Sequence, residues 1–146
     1  MITCVSIVPV FVKDQDESKA FYIDVLGFEE KDDITLGDYR WCTVVHPSQP
    51  ELQINLAIPG PPHDEESMGW LRQMLDKGSS AGIGLNTDDC RKAYEELSAK
   101  GVTFIQEPAE RPYGVEAVMR DNSGNWIVLV EPREFSMEGF EGDYQG

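Results

Sequence analysis

What most constrains this chain is that it carries one pattern twice. Residues 11–30 read FVKDQDESKAFYIDVLGFEE, and residues 85–104 read LNTDDCRKAYEELSAKGVTF. Each copy runs from a strand end through an Asp-rich cap into a helix with a Lys-Ala-aromatic step. Those steps are Lys19-Ala20-Phe21 and Lys92-Ala93-Tyr94. Each helix then stops at a glycine, Gly27 or Gly101, where a left-handed residue closes the last turn, and a new strand follows. Asp16, and Asp88 or Asp89, are the expected N-caps, because a short carboxylate accepts from the free amides of a first turn. The spacing predicts one apolar stripe per helix: Ala20, Phe21, Val25 and Leu26 in the first, Ala93, Tyr94 and Leu97 in the second. A repeat of this length means two copies of one supersecondary unit.

The parallel continues past each helix. After Gly27 the strand pattern covers 28–34, 40–45 and 52–58; after Gly101 it covers 102–106, 115–120 and 126–130. Each half therefore reads as strand, helix and three strands, which makes the fold class α+β. The expected boundaries are residues 2–58 for the first βαβββ unit and 82–132 for the second, together one domain over 1–132. Residues 59–81 form a linker, PGPPHDEESMGWLRQMLDKGSSA. Its prolines break the chain, and Asp64 to Lys77 is expected to be an extra helix with Trp70, Leu71, Met74 and Leu75 on its apolar side. That helix would lid the surface or meet a partner. Residues 133–146 are an acidic, Gly-rich tail, expected to be loosely ordered.

Charge narrows the functional classes. With 12 basic and 27 acidic residues the formal charge is −15, which opposes phosphate neutralisation. No nucleic-acid partner and no membrane partner are expected. A cationic ligand suits this charge, and so does solubility alone, which is the commoner reason for it. Cys4, Cys42 and Cys90 show no CxxC spacing, and the opening MITCVSIVPVFVKD has no basic stretch before its apolar run. Reduced thiols in a cytoplasmic, soluble protein are expected.

Two βαβββ units, a D-x-x-x-S-x-x-FY helix and a closing D-x-x-G-N strand resemble the vicinal oxygen chelate superfamily. That group includes glyoxalase I, extradiol dioxygenases, fosfomycin-resistance enzymes and bleomycin-resistance proteins. The resemblance spans roughly residues 2–132. It rests on Val12, Asp14, Ser18, Phe21, Tyr22, Leu26, Gly27 and Phe28, and on Thr87, Asp88, Gly101, Val102, Pro108, Asp121, Gly124 and Asn125. It implies that each unit's strands curl into a glyoxalase-like half-barrel, that a ligand sits in the resulting cleft, and that the protein is a homodimer.

The resemblance also locates the positions where metal-dependent members carry His or Glu. They fall here on Ile7, Gly82 and Val128, with Gln53 or Asn55 as the fourth. Ile, Gly and Val have no side-chain donor for a divalent cation, and one neutral amide cannot replace three ligands. A register error of one residue brings in Val8, Ile83, Ile127 or Leu129, which are no better. No metal and no cofactor are therefore expected. His46 reads as a loop residue, and His63 sits beside Asp64, Glu65 and Glu66 in an acid-capped helix start.

What remains is a cleft suited to a flat or apolar molecule. Period-two alternation puts Pro9 and Phe11 with Ile7, and Trp126 with Val128, on the inward side. Trp41 and Thr43 form one wall with a hydroxyl handle, Gln53 lies on the next strand, and Tyr113 and Arg111 are placed to gate the opening. The plain alternative for Ile7 and Val128 is simple core filling. The functional expectation is a metal-free relative of the bleomycin-resistance branch that sequesters a small apolar or aromatic ligand, a cationic one being among those the −15 charge suits. The rival is an enzyme, a lyase, isomerase or dioxygenase with a displaced metal site, or a metal-independent catalyst using Glu116, Arg111 or Tyr113. A surface ion pair between Glu116 and Arg120 is the plain reading of that carboxylate. A third possibility is a partner-binding module built on the Asp64–Lys77 helix.

Overall fold

The computed structural model describes residues 1–138; the rest of the acidic tail, 139–146, lies outside the described residues. The first repeat comprises β1 (Ile7–Phe11), α1 (Gln15–Ala20) with a wider π-helical turn (Phe21–Val25), β2 (Glu29–Leu36), β3 (Tyr39–His46) and β4 (Gln49–Ala57). After α2 (Glu65–Lys77) the second repeat comprises β5 (Ala81–Asn86), α3 (Cys90–Ala99), β6 (Phe104–Arg111), β7 (Gly114–Arg120) and β8 (Trp126–Pro132). The two sheets share one permuted order, β1-β4-β3-β2 and β5-β8-β7-β6. The fold is α+β, a pair of glyoxalase-like βαβββ modules.

The chain forms two compact units, Met1–Gly82 with Asp121–Trp126, and Ile83–Arg120 with Ile127 onward. In the first, β1 runs parallel to β4, with Ile7 opposite Gln53 and Val10 opposite Leu56. β3 is antiparallel to β4, with Thr43 opposite Asn55 and Val44 opposite Ile54. Alternation therefore sends Val10, Cys42, Val44, Ile54 and Leu56 to one face, where all are buried. Each of these aliphatics contributes about 1.5–3 kcal/mol when fully removed from water.

The first helix departs from its expected start. It begins two residues earlier than a cap at Asp16 would allow, because Asp14 is the cap and its Oδ1 accepts from Glu17 N at 2.8 Å. Asp16 lies inside the first turn and its carboxylate pairs with Arg40 at 2.8 Å. At Phe21 the winding widens, and the extra residue in that turn rotates the stripe. Ser18 and Tyr22 are fully buried, while Ala20 is exposed and Phe21 and Val25 are half-buried. Gly27 at φ 83° and Gly101 at φ 90° close their helices in the left-handed region.

Tyr22 is buried because its hydroxyl has a partner: it donates to Asp121 Oδ2 at 2.8 Å. Asp121 opens the turn DNSGN, which belongs to the first compact unit although it joins two strands of the second sheet. The carboxylate also accepts from Ser123 N (2.9 Å), Asn125 N (3.0 Å) and Asn125 Nδ2 (2.9 Å). Asn125 Nδ2 donates in turn to the Phe11 carbonyl at 2.7 Å, and Lys13 N to Ser123 Oγ at 3.0 Å. Burial first, then the adjacent carboxylate, push the Tyr22 phenol far above its ordinary range, so it remains a donor. Gly124, at φ 97°, lies against α2: a Cβ there would stand 2.8 Å from the Leu75 carbonyl oxygen.

The linker helix α2 is capped by Asp64, which accepts from Ser67 N at 2.8 Å, and ends at Gly78 with φ 66°. Only part of its expected apolar side packs. Leu75 is buried and Leu71 half-buried, but Trp70 is 68% and Met74 42% exposed.

In the second unit, Cys90, Val115, Ala117 and Leu129 form a buried cluster under Leu85, Ala93, Leu97 and Phe104. Tyr94 packs edge-on against Phe104, centroids 4.7 Å apart. Asp89 caps α3 through Lys92 N at 3.0 Å, and Glu131 accepts from Cys90 N at 3.1 Å. Glu131 therefore lies on the helix side of β8, opposite to Val128.

Candidate functional site

With the aliphatics committed to the helix side, the other face of the first sheet holds a different population. The register places Ile7, Pro9 and Phe11 on β1, Gln53 and Asn55 on β4, and Trp41 and Thr43 on β3 on that same face. So Ile7, Pro9, Phe11, Trp41, Thr43 and Gln53, all expected ligand-binding residues, share one surface. On β2 an extra residue, Lys31, interrupts the pairing with β3: Glu30 faces Val44, but Asp32 faces Thr43. This puts Asp32 on the same surface, a place that strict alternation from Glu30 would give to Lys31 and that the sequence does not single out.

These side chains are linked. Thr43, fully buried, donates from Oγ1 to Gln53 Oε1 at 2.9 Å and accepts from Asp32 N at 3.2 Å. The Trp41 indole Nε1 donates to Asp32 Oδ2 at 3.3 Å. The result is an apolar floor from β1 beside a hydrogen-bonded strip of aromatic, hydroxyl, amide and carboxylate groups. Phe11 is flanked by His63, ring centroids 5.5 Å apart in an edge contact.

The helix-side neighbour of Asp32 behaves differently. Asp33 accepts from Arg40 Nε and Nη2, both at 2.8 Å, and from Lys19 Nζ at 2.8 Å. Those bonds, Arg40 first and Lys19 next, hold its carboxyl well below the ordinary range. Lys19, bonded to Asp33 and then Glu30, is held above its ordinary value.

The second unit places Glu116 beside Tyr113, whose hydroxyl donates to Glu116 Oε2. Gln106 Nε2 donates to the Glu116 carbonyl at 3.1 Å, and Arg111 Nε lies 3.9 Å from Glu116 Oε1. The candidates Arg111, Tyr113 and Glu116 are thus gathered on neighbouring strands β6 and β7 and the turn between them. The Tyr113 carbonyl accepts from Arg133 N at 2.8 Å, which fixes that turn. Val128 is half-buried between the buried Ile127 and Leu129, and Trp126, 38% exposed, begins β8 with its amide donating to the Ser80 carbonyl at 2.9 Å.

The family's metal positions do not fit a divalent cation here. Ile7 and Gln53 are register partners, but Ile7 offers no donor and the Gln53 oxygen already accepts from Thr43. Val128 offers none either. Among the described residues, no three His, Cys, Asp or Glu side chains are gathered in a way that could hold a metal ion. Burial, the main cause in each case, raises the thiols of Cys42 and Cys90, so neither is a ready nucleophile. His46 packs edge-on against Phe28 and its Nδ1 meets Ser48 Oγ at 2.6 Å, at the exposed β3–β4 turn.

The sequence model of the glyoxalase/bleomycin resistance protein/dioxygenase superfamily matches residues 4–129. The chain belongs to that superfamily. Its similarity extends to the protein YurT of Bacillus subtilis (strain 168), 33% identical over 84% of this chain and 94% of YurT. Among solved structures, UcmS2 is 45% identical with a TM-score of 0.82, covering 90% of this chain and 99% of UcmS2. TnmS3, an antibiotic binding protein from Streptomyces sp. CB03234, is 28% identical with a TM-score of 0.72 over 90% of this chain and 98% of its own. A superfamily member from Sphaerobacter thermophilus DSM 20745 is 32% identical with a TM-score of 0.69, covering 89% of this chain and 98% of that one. Within the superfamily, then, this chain keeps the two βαβββ modules. No helix among the described residues is long and apolar enough to cross a membrane.

Proposed function

We propose that this protein is a metal-free binder of a small, largely apolar or aromatic molecule, held without chemical change. The observation that carries this is the open face of the first sheet. Ile7, Pro9 and Phe11 supply an apolar floor, Trp41 a flat aromatic surface, and Thr43 and Gln53 a fixed polar edge. Mostly apolar walls with a few oriented polar groups are what small-molecule sites need. The likeness to TnmS3, an antibiotic binding protein, supports the same reading and suggests sequestration of an antibiotic-like molecule. On the second sheet, Val128 and Tyr113, with Trp126 at the start of β8, are proposed as ligand contacts of that sheet in its own right. A homodimer in the cytoplasm, with no nucleic-acid partner, completes the proposal; sedimentation velocity would test the dimer.

Isothermal titration against a panel of planar polycyclic antibiotics tests binding. Saturable one-site binding is expected, with the compound recovered unchanged. Absence of binding across the panel would overturn the proposal.

One observation favours a second reading, a metal-independent enzyme. Glu116 is a half-buried carboxylate with a phenol bonded to it and a guanidinium nearby, an arrangement able to move a proton. Under that reading Glu116→Gln abolishes turnover of a bound compound while leaving its affinity unchanged.

A further inference from the structure

Two adjacent carboxylates on β2 have opposite circumstances. Asp33 is saturated, with three charged hydrogen bonds from Arg40 and Lys19 on the helix side. Asp32, half-buried on the open face, pairs with no Lys or Arg among the described residues; its side chain is held by the Trp41 indole N–H at 3.3 Å. Its backbone is pinned as well, through Asp32 N to Thr43 Oγ1 at 3.2 Å. Fixing a carboxylate at both ends without neutralising it keeps its charge available for something that arrives from outside.

We infer that Asp32 and Trp41 together form a receptor for the protonated amine of a planar aromatic ligand. The inference rests on the binding role proposed above and names the charge class that the site selects. Asp32 supplies the counter-charge and a hydrogen-bond acceptor. Trp41, tethered to it by the indole N–H, supplies an aromatic surface beside the carboxylate, and a cation within about 6 Å of an aromatic face is attracted by its quadrupole. Beside them, Thr43 and Gln53 fix the strip, and the β1 aliphatics receive the rest of the ring system. A net charge of −15 draws any cation toward the protein, but only a placed carboxylate discriminates at one site.

The probes are 9-aminoacridine, a planar cation at neutral pH, and acridone, its neutral analogue of similar shape. The full chain is titrated with both at fixed ionic strength, together with Asp32→Asn and a control, Asp24→Asn. Asn keeps an acceptor for the Trp41 indole, and Asp24, exposed on the helical turn, removes the same charge away from the site. The wild type is expected to bind the cation about tenfold more tightly than acridone. Asp32→Asn should erase most of that preference without changing acridone affinity, while Asp24→Asn should leave it intact. Equal losses from Asp24→Asn and Asp32→Asn would overturn the inference in favour of the general field. An unchanged preference in Asp32→Asn, or equal binding of both probes by the wild type, would overturn it while leaving the binding role standing. Binding of neither probe by any variant would overturn the inference and the binding role together.

Discussion

The two βαβββ units share their order of strands, their capped helices and their left-handed glycine stops, yet they differ in where they permit buried polarity. The second unit places an apolar cluster under α3, with Tyr94 half-buried against Phe104. The first unit buries a tyrosine completely under its helix and satisfies it with Asp121, a carboxylate that itself accepts four hydrogen bonds. Tyr22 has no aromatic counterpart in the repeat, where Glu95 stands one residue after Tyr94. The repeated pattern therefore sets the frame, whereas the polar hub is particular to one copy. The open faces diverge in the same way, into an aromatic-amide strip in the first and an Arg-Tyr-Glu cluster in the second.

Asp121→Ala should separate the two units most strongly. It strands the Tyr22 hydroxyl and two backbone amides in a buried site and takes one of two acceptors from the Asn125 amide, and about 3–5 kcal/mol of stability should be lost. Urea unfolding measures this, and a loss below about 1 kcal/mol would mean that the hub is not a hub. Tyr22→Phe removes one of those donors and should cost about 1–3 kcal/mol in the same assay. For the second unit, Asp89→Ala deletes the α3 cap and should cost about 1 kcal/mol, so that the first unit's polar hub outweighs the second unit's cap.

Asp33 should matter least, because its charges lie near the surface. Asp33→Asn should lower stability by less than about 1 kcal/mol at neutral pH. Since the folded carboxyl titrates below its ordinary range, its contribution is complete above about pH 4 and is lost as the pH falls through the lower folded value. The variant should therefore show a flatter acid limb in its stability profile than the wild type. On the alkaline side Lys19 works with the opposite sign. Its raised value makes the contribution complete below about pH 10 and lost only as the pH climbs through the folded value.

Much of this was legible in the sequence because it depends on local chemistry. Gly27 and Gly101 announce left-handed stops, and Asp89 and Asp64 announce caps, since each reports a backbone need of its own neighbourhood. The face shared by Ile7, Pro9, Phe11, Trp41, Thr43 and Gln53 follows from period-two alternation within stretches of β1, β3 and β4 that lie clear of the irregularity at Val45–His46. What alternation cannot give is anything set by a partner distant in the chain. Ala20 looked buried and Tyr22 did not stand out, because the π-helical turn and the acceptor Asp121, 99 residues away, decide that stripe. Asp14 displaced Asp16 as the cap because the chain turns into the helix sooner than the acidic run suggests. Half of the apolar side of α2 stayed exposed, at Trp70 and Met74, because amphipathic spacing says which residues share a side but not how much of it is covered.

The extra residue on β2 has a consequence beyond local geometry. If β2 and β3 paired without interruption from Glu30 and Val44, Lys31 would stand opposite Thr43, and Asp32 would move to the place now held by Asp33. The open face would then present an ammonium group where it now presents a carboxylate. The polarity of the surface is thus encoded in the spacing of the backbone, independently of which charged residues the strand contains. An insertion or deletion of one residue in this strand would act on ligand choice as strongly as a charge reversal, and related chains that differ in length here should differ in the sign of what they bind.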